Sequence, residues 1–173
     1  IMNITDVGHL TGDNEGDASQ GEDRMEKAKR REGKNAWEIA EFYTNDFLTG
    51  MEKLNIELPR KLTKATDHIK EQIELVQKLE KAELTYKISD GIYFDVAAYE
   101  KSGKTYGELS TLDHNSDQVN RIEPNPEKRD ARDFALWKFS PENEKRDMEW
   151  ESPFGKGFPG WHIECSAMSM KYL

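Results

Sequence analysis

The chain has few of the residues that would fix a fold or a function outright. Among 173 residues there is one cysteine, Cys165, so no disulfide can close within the chain and no two-cysteine metal knuckle is available. No apolar stretch approaches the roughly 18 residues that a membrane-spanning helix needs, and no membrane partner is expected. No secretory signal is visible, and with a lone thiol the chain reads as cytoplasmic. Cations are outnumbered: 25 Lys and Arg stand against 34 Asp and Glu, a formal charge of −9. Non-specific nucleic-acid affinity rests on Lys and Arg contacts that release counterions, so these residues alone are not expected to grip a phosphate backbone tightly. A phosphate-binding glycine loop, a serine-nucleophile motif and an internal repeat are all missing. Hydrophobic residues make up 35% of the chain and charged ones 34%, which predicts helices with wide solvated faces, and the length suits one domain with a real core or one domain plus a small appendage.

What is present reads as alternating strand and helix. Ile1–Val7 (IMNITDV) has the character of the tail of a buried strand, and residues 11–33 pass from an acidic, glycine-rich loop into a basic, solvated helix at Arg24–Arg31. Asn35 followed by Glu38 is a capping box. Ala36, Ala40, Tyr43, Phe47, Met51 and Leu54 then repeat at helical spacing up to Pro59. A second helix is predicted from Thr66 or Asp67 to about Ala82, with Ile69, Ile73, Val76 and Leu79 or Leu75 on its apolar side. Both helices are expected to pack on a common sheet. The period then becomes alternating around Asp90 and Gly91, which predicts a β-hairpin over residues 84–97. Gly103–Asp133 reads as turn-rich, with Pro124 and Pro126 marking irregular structure. The apolar cluster Phe134–Phe139 reads as a strand, and Gly155, Gly157, Pro159 and Gly160 as a stiff turn leading to Trp161. Ser166–Leu173 resembles the opening turns of a helix, with Met168 and Tyr172 four apart. Ends without a preceding strand or a closing cap give the expectation of a fragment of a longer chain.

Few side chains suggest chemistry by position alone. His162 and Cys165 are three apart, so a helix would put both on one face and supply two of the four donors that zinc takes. Two donors do not make a site, and spacing alone favours a small buried thiol over a metal ligand. His9 follows the first strand, at the edge where open α/β sheets bind ligands, although a loop histidine is the ordinary reading. His68 and His114 are expected in solvent. The basic run Lys27–Arg31 reads as a solvated helix face.

Taken in order, NITDV at 3–7, ATDHI at 65–69, DGIYFDV at 90–96, KRDARDFALWK at 128–138 and PGWHIECSAM at 159–168 resemble the cysteinyl-tRNA synthetase family, a class I aminoacyl-tRNA synthetase family. The resemblance spans essentially the whole chain, and PGWHIECSAM and DFALWK are its specific parts. It implies an α/β fold: part of a Rossmann-type (HUP-like) class I catalytic domain with a hairpin-containing connective polypeptide insertion. The implied organisation is a strand end and two helices of the catalytic domain at 1–82, the insertion at 83–133, and a return to the catalytic domain with a zinc-ligand segment at 134–173.

The same resemblance assigns roles. Cys165 matches one of four protein ligands of a zinc ion that binds the substrate thiol. Trp161 matches the aromatic floor of the amino-acid pocket, and Thr5 a residue near the substrate backbone. His162 falls among residues that line the pocket or support its walls from behind, and Glu164 is left as structural. Substrates would be cysteine, ATP with Mg, and tRNA(Cys). No catalytic residue is expected within these 173 residues, because the His-Ile-Gly-His signature, the KMSKS loop, the other zinc ligands and the anticodon-binding region are not in the sequence. In the first loop, VGHLTGDNEGD departs from the shorter acidic turn of many members. Two alternatives remain open from sequence: the related mycothiol-pathway cysteine ligase, and a non-catalytic interaction module built from the charged helices at 20–82.

Overall fold

The computed structural model describes residues 1–8, 10–11, 22–108, 125–141 and 145–173. His9, His114, Pro124, residues 12–21 of the loop at the start of the segment 11–33, and the centre of the turn-rich segment at 103–133 lie outside them.

Strand β1 (Met2–Ile4) pairs in parallel with β4 (Leu62–Lys64), in the register Met2 to Leu62 and Ile4 to Lys64. Parallel neighbours need a long crossover. Here it contains the short antiparallel pair β2 (Leu10–Thr11) and β3 (Glu22–Asp23), then helices α1 (Arg24–Glu32) and α2 (Ala36–Lys53). β1 is half-buried rather than buried, and the short strand β4 has no counterpart among the sequence expectations.

The capping box at α2 forms as its sequence predicts: Glu38 N–H donates to Asn35 Oδ1 at 2.9 Å, and Asn35 N–H to Glu38 Oε2 at 2.8 Å. Asp147, far along the chain, accepts from Ala36 N–H and pairs with Lys29 at 2.9 Å, so one carboxylate holds the start of α2 and the end of α1. Those donors keep the Asp147 carboxyl below its ordinary range, Lys29 contributing most. The apolar stripe of α2 is covered only in part. Ala36, Ile39 and Met51 are buried, whereas Tyr43, Phe47 and Leu54 are exposed at 48%, 48% and 73%. Tyr43 and Phe47 instead face a cleft of about 490 Å³ whose opposite wall is Met2–Asp6.

After a 3-10 turn at Thr66–His68, α3 (Ile69–Lys81) buries Ile69, Gln72 and Val76. The hairpin is present, with β5 (Thr85–Ile88) antiparallel to β6 (Gly91–Phe94). Its two-residue turn is Ser89-Asp90 rather than Asp90-Gly91. Gly91 belongs to the strand, where a Cβ would lie 2.3 Å from the carbonyl oxygen of Trp137. The alternation also ends earlier than residue 97: Asp95 Oδ1 accepts from Ala98 N–H at 2.8 Å and starts α4 (Val96–Lys101).

β7 (Phe134–Phe139) is the expected strand, and β8 (Gly157–Pro159) replaces the expected stiff turn. Both join the hairpin in an antiparallel sheet of order β5-β6-β7-β8. On one face Ile92, Phe94, Leu136 and Trp137 pack with Ile69 and Val76 of α3 and with Ile163. On the other, Tyr86, Tyr93 and Ala135 form a small second layer. Asp133 fastens the approach to β7, accepting from Tyr86 O–H at 2.7 Å, Val96 N–H at 2.9 Å and Asp130 N–H at 3.0 Å. Burial is the main reason the Tyr86 phenol titrates well above its ordinary value, which keeps it a donor.

Helix α5 (Trp161–Tyr172) starts five residues before the sequence expectation. Gly160 supplies the extended N-cap backbone, and Ile163, Glu164, Ala167 and Met168 form the buried face. Spacings of one, three and four residues define a single helical stripe, which the short window beginning at Ser166 concealed.

Candidate functional site

The first two turns of α5 gather three of the four candidate residues. Trp161 and His162 are both exposed, Trp161 at 53%, and their rings lie 6.4 Å apart. The His162 imidazole also meets the Phe134 ring edge-on at 4.9 Å, so β7 supports it from one side. Cys165, one turn further on, is a free thiol of intermediate exposure. The helical spacing proposed for His162 and Cys165 is therefore present.

The position of this platform follows from a close backbone approach. A Cβ on Gly160 would lie 1.9 Å from the carbonyl oxygen of Ala135, and one on Gly157 would lie 2.0 Å from that of Lys138. Only glycine lets β8 and the helix start lie this close to β7. Phe158, between them, is buried under the Arg146 guanidinium, which sits 3.9 Å from the ring centroid and also donates to the Gly8 carbonyl oxygen at 3.1 Å. Arg146 thus links the end of the first strand segment to the approach to α5, a role with no signal in the sequence.

Thr5 belongs to a different element, directly after the end of β1. It is exposed and lines the cleft between β1 and α2 with Asn3, Ile39 and Phe47, whereas Trp161, His162 and Cys165 are not among the walls of that cleft. Its neighbour Asp6 is buried and accepts from Thr66 twice, from N–H at 3.0 Å and from Oγ1–H at 2.7 Å.

His68 corrects the sequence reading. It is 5% exposed, not solvated. Its Nδ1 lies 2.6 Å from the Lys64 carbonyl oxygen, and its Nε2 lies 2.8 Å from the Tyr172 hydroxyl at the last turn of α5. Helix position could not reveal this, because the covering residue is 104 positions away. The nearest hint is the ATDHI segment itself, distinctive as a pattern but without a role. Beside it Lys171 pairs with Glu71 of α3, and this hydrogen bond is the main reason the Glu71 carboxyl is held below its ordinary range.

Zinc can be tested against these side chains. Among the described residues no group of three or more His, Cys, Asp or Glu side chains could hold a metal ion. Cys165 suits the part of a single thiolate donor, and a four-coordinate site requires donors beyond it. Among the described residues no helix is long and apolar enough to cross a membrane.

Comparison with known proteins places this geometry in a family. Residues 17–173 match the family model described as tRNA synthetases class I (C) catalytic domain. Over the whole chain, identity is 50% to Cysteine--tRNA ligase 1 of Burkholderia lata, 47% to Cysteine--tRNA ligase of Treponema denticola and 44% to Cysteine--tRNA ligase of Zymomonas mobilis. The chain spans about a third of the length of these relatives, 35%, 34% and 32% respectively. It belongs to the family of class I tRNA synthetase catalytic domains, and the relatives named above are cysteine--tRNA ligases.

Proposed function

We propose that this chain forms the amino-acid-selecting third of a cysteine--tRNA ligase. Such an enzyme joins the cysteine carboxylate to the α-phosphate of ATP, releasing pyrophosphate, and passes the cysteinyl group to tRNA(Cys). The observation that carries the reading is the platform at the start of α5: an exposed indole, an exposed imidazole and the only thiol on consecutive turns, in a chain that matches cysteine--tRNA ligases from end to end. Residues 1–82 and 134–173 are assigned to the catalytic domain, and 83–133 to its connective polypeptide. The reading also places the protein in the cytoplasm.

In this role Trp161 offers an apolar face for the substrate side chain, and His162, braced by Phe134, lines the same side. Thr5 hydrogen-bonds the substrate's backbone groups. Cys165 donates one thiolate to zinc. The ion, when bound, prefers sulfur to a neutral hydroxyl and favours the deprotonated thiol, which separates cysteine from serine at binding. A pocket of ordinary side chains separates such near-isosteres by only about 10- to 200-fold. The groups that bind ATP and Mg and stabilise the charge on the α-phosphate are assigned to the rest of the enzyme.

The test is a graft. The matching third of the Burkholderia lata ligase is replaced by residues 1–173, and cysteine-dependent pyrophosphate exchange and tRNA(Cys) charging are measured. Both activities are expected, with discrimination against serine retained. A folded graft that binds ATP but neither activates cysteine nor charges tRNA would overturn the reading.

A further inference from the structure

We propose that the turn Ala65–His68 is a positioning junction that fixes α5, and with it Trp161 and Cys165, relative to Thr5. The proposal rests on the pocket roles just given to those residues. It gives a task to the ATDHI segment, to which the roles proposed above assign none.

One arm of the junction holds the Thr5 segment. Ala65 N–H donates to the Ile4 carbonyl oxygen at 2.9 Å, and Thr66 presents both its N–H and its hydroxyl to the Asp6 carboxylate. Thr5 is therefore bracketed on both sides by bonds to two adjacent residues of the turn. Two donors on one carboxylate fix direction as well as distance.

The other arm holds α5. A carbonyl oxygen only accepts, so the 2.6 Å contact with Lys64 places the proton of His68 on Nδ1. In the neutral ring Nε2 then accepts from the Tyr172 hydroxyl, 2.8 Å away. The Tyr172 ring meets the imidazole edge-on at 5.4 Å and carries Lys61 Nζ over its face at 3.7 Å. Behind the turn, Gln72 Nε2 donates to the Ala65 carbonyl oxygen at 2.8 Å, and Ala65, with no exposed surface, packs among Val7, Phe158 and Met168. The junction is thus a rigid block with one bonded arm to each pocket segment.

Helical geometry explains why an anchor at Tyr172 governs Cys165. Seven residues are close to two full turns, so the two side chains lie on nearly the same line along α5, about 10 Å apart. The buried stripe of α5 is apolar apart from Glu164, and apolar contact is non-directional, tolerating small slides and rotations. A hydrogen bond to an imidazole of fixed tautomer tolerates much less. Binding groups that act together lose much of their effect when misplaced by about 1 Å.

Two conservative substitutions in the grafted ligase test this. Tyr172→Phe removes one oxygen and leaves the ring under Lys61; Thr66→Val removes one of the two bonds to Asp6. Each is expected to raise KM for cysteine about three- to tenfold, the effect of one buried hydrogen bond, with KM for ATP unchanged. Because the arms act in series, the double variant should fall well short of the product of the single effects. A second readout does not depend on activity: with metal and substrate removed, alkylation of Cys165 by iodoacetamide, followed by peptide mass spectrometry, should quicken by a similar factor in Tyr172→Phe. Variants that lose only thermal stability, with KM and alkylation at parental values, would show a purely structural turn and overturn the proposal. So would single effects that simply multiply. A parental graft unable to activate cysteine would count against the functional reading, and the alkylation rates would still decide the junction.

Discussion

Cys165 is where side-chain chemistry and position meet. Its thiol is half-buried one turn after two exposed aromatic side chains, and sulfur is the donor type that a zinc ion selecting thiols would use. Cys165→Ser keeps the shape and removes the soft atom. In the grafted ligase it is expected to lower the zinc content per chain and raise KM for cysteine by about tenfold or more. Metal analysis with parallel kinetics checks this, and undiminished zinc stoichiometry would remove Cys165 from the ligand set. The residue stood out in the sequence because it is the only cysteine. His68 did not, because its environment is made by Lys64 and Tyr172, and no local pattern encodes a partner a hundred residues away.

Among the elements, the start of α5 depends on how closely β8 passes β7. Gly160 has φ −71° and ψ 155°, backbone that any residue adopts, so the requirement for glycine comes from the neighbouring strand and not from the turn. Gly160→Ala should force the strands apart and cost about 1–3 kcal/mol, as overpacking does. Gly50→Ala, in α2 with nothing within 4 Å of the new Cβ, should instead stabilise by about 0.5–1 kcal/mol. Chemical denaturation of the two variants beside the parent checks the contrast, and equal behaviour would refute the close-approach argument. The same approach disguised β8 in the sequence: glycine and proline usually punctuate, yet here they make a strand thin enough to pair. α2 and α3 were legible because a capping box and a run of i, i+3, i+4 apolar residues are local signals. β4 and α4, of three and six residues, are too short to show a period.

For the whole molecule, the described residues hold one candidate thiolate donor and no cluster able to bind a metal. Because the proposed function assigns ATP binding to the rest of the enzyme, and the chain spans about a third of its relatives, the 173 residues alone are expected to show no cysteine-dependent pyrophosphate exchange, in an assay where the grafted ligase does. They should also fail to retain tRNA(Cys) in a mobility-shift titration at moderate salt, since a formal charge of −9 opposes a phosphate backbone. Exchange by the isolated chain would mean that its own residues assemble more of the reaction than this reading allows.

Local signals were enough for the family, the capped helix α2, the existence and end of α3, the existence of the hairpin and the residues worth testing. These are carried by short motifs and by periods of two or three to four residues, all local in the chain. Only the tertiary structure decided that His162 and Cys165 share one helix from its first turns, that half of the α2 stripe faces a cleft, and that Thr5 and α5 are held through one turn at residues 65–68. Such decisions depend on which distant backbone comes within hydrogen-bond or van der Waals reach, and that distance is set by packing.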